Sequence, residues 1–232
     1  MTLCVSPDVR CAPIQGCLVI LDLRAAAYFI LDPVGTSMWQ ALLATDGHVP
    51  ALQLLQSKYP VEPTRLKADL EAFELSCVHR GFLQARDPNP NPIFDTSVVE
   101  SRRTWLPLNA WWCLFRTTRS LASKGLAQTY REYSRMPGPK GETNASDDLL
   151  SRSLAAFALA ENFFLIKNAP RDCLPRSLAL FRFLRSAGIA VEHCIGVQRF
   201  PFQAHAWVEY RGHVVQDNPA RRMMFETLAR IS

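Results

Sequence analysis

The sequence predicts an α+β protein built as two domains. Three observations carry that expectation. A proline-rich break separates two halves of opposite charge. The first half runs from strand-period to helix-period patterning. The second half closes on a helix followed by a β-hairpin, and those elements carry a cysteine, a histidine and an aspartate. A chain of 232 residues, 48% hydrophobic and 20% charged, is long enough for one or two domains with a real core.

The first domain is assigned to residues 1–84. GCLVILD (16–22) and AAYFIL (26–31) read as two strands around a short turn at 23–25. Asp32-Pro33 stops the second strand. Residues 34–43 form a helix with Trp39 inward, and residues 50–59 form another. A third helix over 62–80 starts at Pro63, places Leu66, Leu70, Phe73 and Val78 on one face, and stops at Gly81. Phe82-Leu83 returns as a strand. The result is a small ββααα unit of winged-helix character. Its third helix sets Asp69, Glu71 and Glu74 against Arg65, Lys67 and Arg80, too acidic for a helix that reads DNA.

A linker is expected over 85–104, where Pro88, Pro90 and Pro92 break any apolar period. The second domain is assigned to 105–232. WLPLNAWWCLFRTTRSLASKGLAQTYREYSR reads as helical, and core packing is the expected role of Trp105, Trp111 and Trp112. A loop follows. Asp147 or Asp148 then caps a helix through LLSRSLAAFALAENFFLI.

The chemistry-bearing elements come last. Asp172 is the expected N-cap of a helix whose first turn holds Cys173 and Pro175, with Gly188 as the stop. A thiol there lies at the positive end of the helix dipole, which favours thiolate, and free N–H groups offer an oxyanion site. Residues 191–198 and 204–210 alternate as strands. Arg211-Gly212 makes a two-residue turn into HVVQD. In that register residue 210 faces 213 and 206 faces 217, so His205 falls one place away from Asp217. A bulge or a longer loop is expected to close that gap. The three side chains are those a thiol nucleophile needs: sulfur, base and orienting carboxylate. His193 and His213 are alternative bases. Cys194, beside the sheet, is expected to compete in thiol labelling.

Composition excludes several classes. The seven cysteines (4, 11, 17, 77, 113, 173, 194) form no C-x-x-C pair, so neither zinc nor a disulfide framework is signalled. The N-terminus lacks signal-peptide features, and no apolar run reaches the ~18 residues that span a membrane. A cytoplasmic location is expected. Residues 1–83 carry 6 basic and 8 acidic residues, net −2; residues 84–232 carry 20 and 13, net +7. The arginines of the second half are scattered without aromatic partners, which argues against nucleic acid.

Two stretches resemble known families. CLPRSLALFRFLRSAGIAVEHCIGV and PFQAHAWVEYRGHVVQD share C-L-x-R-S-L-A-L, I-G-V, P-F-x-A-H-A-W-V-E and a closing Asp with lasso-peptide B proteins. These are leader peptidases with a transglutaminase-like or papain-like α+β domain. The resemblance implies Cys173 as nucleophile, His205 as base and then acid, and Asp217 as orienting carboxylate. LVILDLRAAAYFILDPVGTSMWQALL with DLEAFELSCVHRGFL resembles the precursor-recognition domain related to the chaperone of pyrroloquinoline-quinone synthesis. That resemblance implies capture of a leader as an added strand. The receiving edge is then Ala26, Ala27, Tyr28, Phe29, Ile30 and Leu31, with the third helix as groove wall.

Together the two imply a protein that binds the leader of a ribosomal precursor peptide, cuts at the leader–core junction and hands the core to an asparagine-synthetase-like lasso cyclase. No bound cofactor or metal is expected; ATP belongs to the cyclase. Two alternatives remain: an acyl transferase using the same triad, and a recruitment protein without catalysis.

Overall fold

The computed structural model describes residues 3–45, 47–86, 106–138, 147–165 and 173–232. It divides into two compact units, Met1–Thr96 and Ser97–Ser232. From residue 87 on, the expected linker lies outside the described residues, as do Trp105 and Asp172.

The first unit holds more strands than the sequence predicts. β1 (Leu3–Val5) pairs antiparallel with β5 (Leu83–Ala85). β2 (Val9–Ile14), β3 (Cys17–Asp22) and β4 (Ala27–Leu31) form an antiparallel sheet in that order. β1 and β2 were not expected: three residues make no periodic signal, and RCAP inside β2 does not read as strand. Gln15 and Gly16 both take positive φ between β2 and β3, as a two-residue type I′ hairpin loop requires. Ala26, expected in the strand, sits in the turn before β4 at φ 50°.

The helices are α1 (Pro33–Ala44), α2 (His48–Lys58) and α3 (Pro63–His79). Asp32-Pro33 both ends β4 and starts α1: the Asp32 carboxylate accepts from the Gly35 N–H at 2.7 Å, and proline takes the first position, where no donor is needed. Glu62-Pro63 repeats the device, with Glu62 accepting from the N–H groups of Thr64 and Arg65. Trp39, Leu66 and Leu70 are buried against Leu18 and Ile20. Val78 is exposed. Cys77 takes the inward place, one turn in step with Leu70 and Phe73.

The second unit layers helices on an antiparallel sheet of order β8-β7-β6-β9. α4 (Leu106–Ser134) bends at Gly125, where φ is 76° and ψ 176°. α5 (Asp147–Leu165) has Asp147 and Asp148 in its first turn, and α6 (Cys173–Ser186) follows. Gly188, at φ 82°, closes α6 as Ile189 N–H donates back to the Leu184 carbonyl.

β6 (Glu192–Gln198), β7 (Gln203–Tyr210) and β8 (His213–Val215) follow in meander. A short helix α7 (Pro219–Arg222), capped by Asn218, leads to β9 (Glu226–Ile231), which pairs with β6. α7 and β9 were not foreseen. Trp111 and Trp112 are 41% and 49% exposed, not core; both stack on Phe115, along the outer side of α4. No helix among the described residues is long and apolar enough to cross a membrane.

Candidate active site

Cys173 opens α6 and is partly buried. His205 lies near the start of β7, 5% exposed, and its Nε2 meets Asp217 Oδ2 at 2.5 Å. Burial pushes the Cys173 thiol up. The nearby His205 ring, the N–H of Ala206, the imidazole charge and its own N–H together pull it below the usual thiol range. His205 moves the opposite way. The neighbouring Cys173 raises it most, burial opposes, and the bond and charge of Asp217 add to the rise. Both shifts run in the direction that favours thiolate and imidazolium, the state a cysteine nucleophile needs.

The three predicted residues thus meet, but not by the expected route. The loop is the expected two residues, Arg211 at φ 50° and Gly212 at φ 78°, and Tyr210 faces His213. No bulge interrupts β7 and β8. The ladder stops at Val208↔Val215, and Gln216 turns off at φ 53°. That turn, rather than a bulge, brings Asp217 to His205.

The alternative bases are disposed of by place. His193 is fully buried between α6 and the sheet, its Nε2 2.9 Å from Ser177 Oγ, and burial pushes its pKa down to about 3. It is a neutral core histidine. His213 is exposed at the hairpin tip. Cys194 is fully buried, and burial, then the charge of Glu209, pushes its thiol up to about 12. It is therefore a poor target for labelling, contrary to expectation. Among the described cysteines with shifted acidity, Cys11, Cys77, Cys113 and Cys194 are raised and Cys173 alone is lowered.

Aromatic side chains pack around His205. Trp207 stacks beside His205 with ring centres 5.9 Å apart, and Phe225 lies 5.3 Å from it on centres. Gly196 makes room: a Cβ there would come within 2.6 Å of the indole. Trp207 Nε1 donates to Glu209 at 2.8 Å, and Arg222 and Arg230 hold the same buried carboxylate at 3.1 Å each. The I-G-V and A-H-A-W-V-E runs thus describe one packed unit. The sequence left Arg222 and Arg230 without a role because both belong to elements it did not predict.

The first unit carries a groove of about 530 Å³ lined by Ile30, Leu31, Val34, Met38, Asp69 and Phe73. β4 is an edge of its sheet. Phe29 and Leu31 pack toward the core, whereas Ile30 is 48% exposed.

Both units match known families. Residues 111–230 match the transglutaminase-like superfamily, and residues 17–83 match coenzyme PQQ synthesis protein D (PqqD). The chain belongs to the transglutaminase-like superfamily. With the PqqD match ahead of it, the resemblance to lasso-peptide B proteins holds on both domains.

A curated relative is the microcin J25-processing protein McjB of Escherichia coli, 43% identical over 60 residues. That match covers 26% of this chain and only 29% of McjB. Two solved structures are also similar. One is TbiB1 in complex with the TbiA(beta) leader peptide: 25% identity, 36% of this chain, 96% of that chain, TM-score 0.33. The other is lasso peptide synthetase B1 complexed with the leader peptide: 26% identity, 37% of this chain, 100% of that chain, TM-score 0.35.

Proposed function

We propose that this protein is a leader peptidase of lasso-peptide biosynthesis. The observation that carries the reading is the Cys173–His205–Asp217 arrangement, with the thiol acidity lowered and the imidazole acidity shifted to match. The precursor's leader adds as a strand to the β4 edge at residues 26–31, and apolar leader side chains enter the groove beside Ile30 and Phe73. The PqqD match supports this placement.

At the second site, the Cys173 thiolate adds to the carbonyl carbon at the leader–core junction. The N–H groups of Cys173 and Ala206, which act on the sulfur at rest, are the donors assigned here to the oxyanion. The tetrahedral species collapses by breaking the C–N bond. His205 gives its proton to the leaving core amine, and Asp217 steadies the imidazole throughout. Water, deprotonated by His205, then hydrolyses the leader thioester and frees the sulfur. Binding the leader on the same chain raises the local concentration of the junction, so weak contacts near Cys173 suffice. The core passes to an asparagine-synthetase-like cyclase, which spends the ATP; the peptidase itself needs no cofactor. The work is cytoplasmic.

The test is the mass of the precursor after incubation with wild type or Cys173→Ala, with the cyclase present. Cleavage into leader and core by wild type alone is expected. Equal cleavage by both would remove Cys173 from the reaction. Cross-linked product without a free leader would mark an acyl transferase. Maturation in full with Cys173→Ala would mark a recruitment protein.

A further inference from the structure

Two-residue hairpins impose a strict alternation. With Tyr210 facing His213, hydrogen-bonded pairs fall at 210↔213 and 208↔215, and the next would be 206↔217. That third pair is missing. Ala206 keeps its N–H directed to the β8 side of β7, where no strand partner remains, and Cys173 sulfur accepts it. Asp217, released from the ladder, meets His205.

The missing pair follows from one residue. Gln216 takes the left-handed region at φ 53°, which non-glycine residues adopt only when their surroundings hold them there. Its surroundings do. The Gln216 carbonyl accepts from Arg176 Nη1 at 3.2 Å, and its side-chain Nε2 donates to the Leu154 carbonyl at 2.6 Å. Arg176 is in turn fixed by Glu161 of α5, through a close Nε–Oε1 contact and an Nη2–Oε2 contact at 3.2 Å. Arg176 stands one helical turn beyond Cys173. The helix that carries the sulfur therefore also grips the turn that places the acid.

We propose that Gln216 is the positioning residue of this triad: its left-handed turn ends β8 early, which carries Asp217 onto His205 and leaves the Ala206 N–H for the Cys173 sulfur. The proposal rests on the reading of Cys173 as nucleophile, yet its geometry is testable without any peptide substrate. The charged groups facing the turn are Arg176 and Glu161 from the helices and His205 and Asp217 from the sheet.

The experiment is alkylation of the full-length protein by iodoacetamide across pH, read by mass on the tryptic peptide 172–176 that contains Cys173. Wild type should alkylate with a midpoint below the ordinary thiol range. Gln216→Val, whose branched side chain resists the left-handed region, should raise that midpoint by about one unit. It should also lower kcat for leader cleavage about tenfold, with KM little changed. Gln216→Asn, an amide that tolerates the same backbone, should stay near wild type. A folded valine variant with the wild-type midpoint overturns the proposal. If that variant does not fold, Arg176→Gln decides, read on the longer tryptic peptide 172–182 that the lost arginine leaves: the midpoint must rise there too, and an unchanged midpoint overturns it. A Gln216-dependent midpoint alongside full cleavage by Cys173→Ala would uphold the positioning role while removing the peptidase reading. An ordinary wild-type midpoint would remove both.

Discussion

Each unit has a strand with backbone left unpaired along one side, wholly at β4 and in part at β7. β4 presents a whole strand side, flanked by an apolar groove and an exposed isoleucine. β7 is covered by β8 for three residue pairs, and residues 203–207 have no β8 partner. A long open edge invites another chain to pair along it, which natural proteins otherwise avoid. The bared stretch of β7 places the Ala206 N–H beside Cys173, and the end of the ladder lets Asp217 reach His205. Under the proposed function, unpaired backbone serves recognition along β4 and chemistry beside β7.

The comparison breaks if damage at one edge spreads to the other. Asp217→Asn should cost about 10²- to 10⁴-fold in kcat, because the imidazole loses its orienting charge. Leader affinity should not change. Ile30→Asp should weaken leader binding by about tenfold, the effect of burying a charge in an apolar contact. The pH profile of Cys173 alkylation should not change. Calorimetric titration with leader peptide and the alkylation assay, run on both variants, check the separation. A shift of thiol acidity in Ile30→Asp, or lost leader binding in Asp217→Asn, would contradict it.

A smaller effect concerns the packing under the catalytic helix. His193 is neutral in the fold with a pKa near 3, and the unfolded chain has an ordinary imidazole at 6.5. As pH falls below about 6.5 the unfolded state binds the proton and the folded state does not, so stability falls. Above 6.5 the group contributes no slope. The limiting loss is ~1.4 kcal/mol per pH unit. Thermal unfolding at pH 7 and pH 5 should show His193→Gln losing less on acidification than wild type. An equal loss would place the acid sensitivity elsewhere.

Much of the site was legible because its parts obey local rules. A cysteine before Pro175 and a helix-period run marks a helix start. Arg211-Gly212 dictates a two-residue hairpin, and that fixes which residues face each other. The meeting of His205 with Asp217 was not legible, because nothing in the letter Gln announces a left-handed residue. Only the tertiary grip of Arg176 and the Leu154 carbonyl holds it there.

The same holds for the elements missed. β1 pairs with a strand at the far end of its unit, and three residues give no period to read. β9 buries both Leu228 and Ala229, sequence neighbours, beside the register shift at Ile195/Gly196. That irregularity hides strand alternation. The tryptophans of α4 misled for a simpler reason: aromatic residues suggest core, and only the packing of α5 and α6 decides which side of α4 is covered.

The most direct test of the central claim is the mass of the protein itself during turnover. Wild type mixed with precursor and cyclase, then quenched in acid within the first turnover, should carry the leader as a thioester on Cys173. The adduct should weigh one leader less one water, and it should decay as free leader appears. Steady cleavage of the precursor with no adduct at Cys173, and unchanged cleavage by Cys173→Ala, would contradict the account.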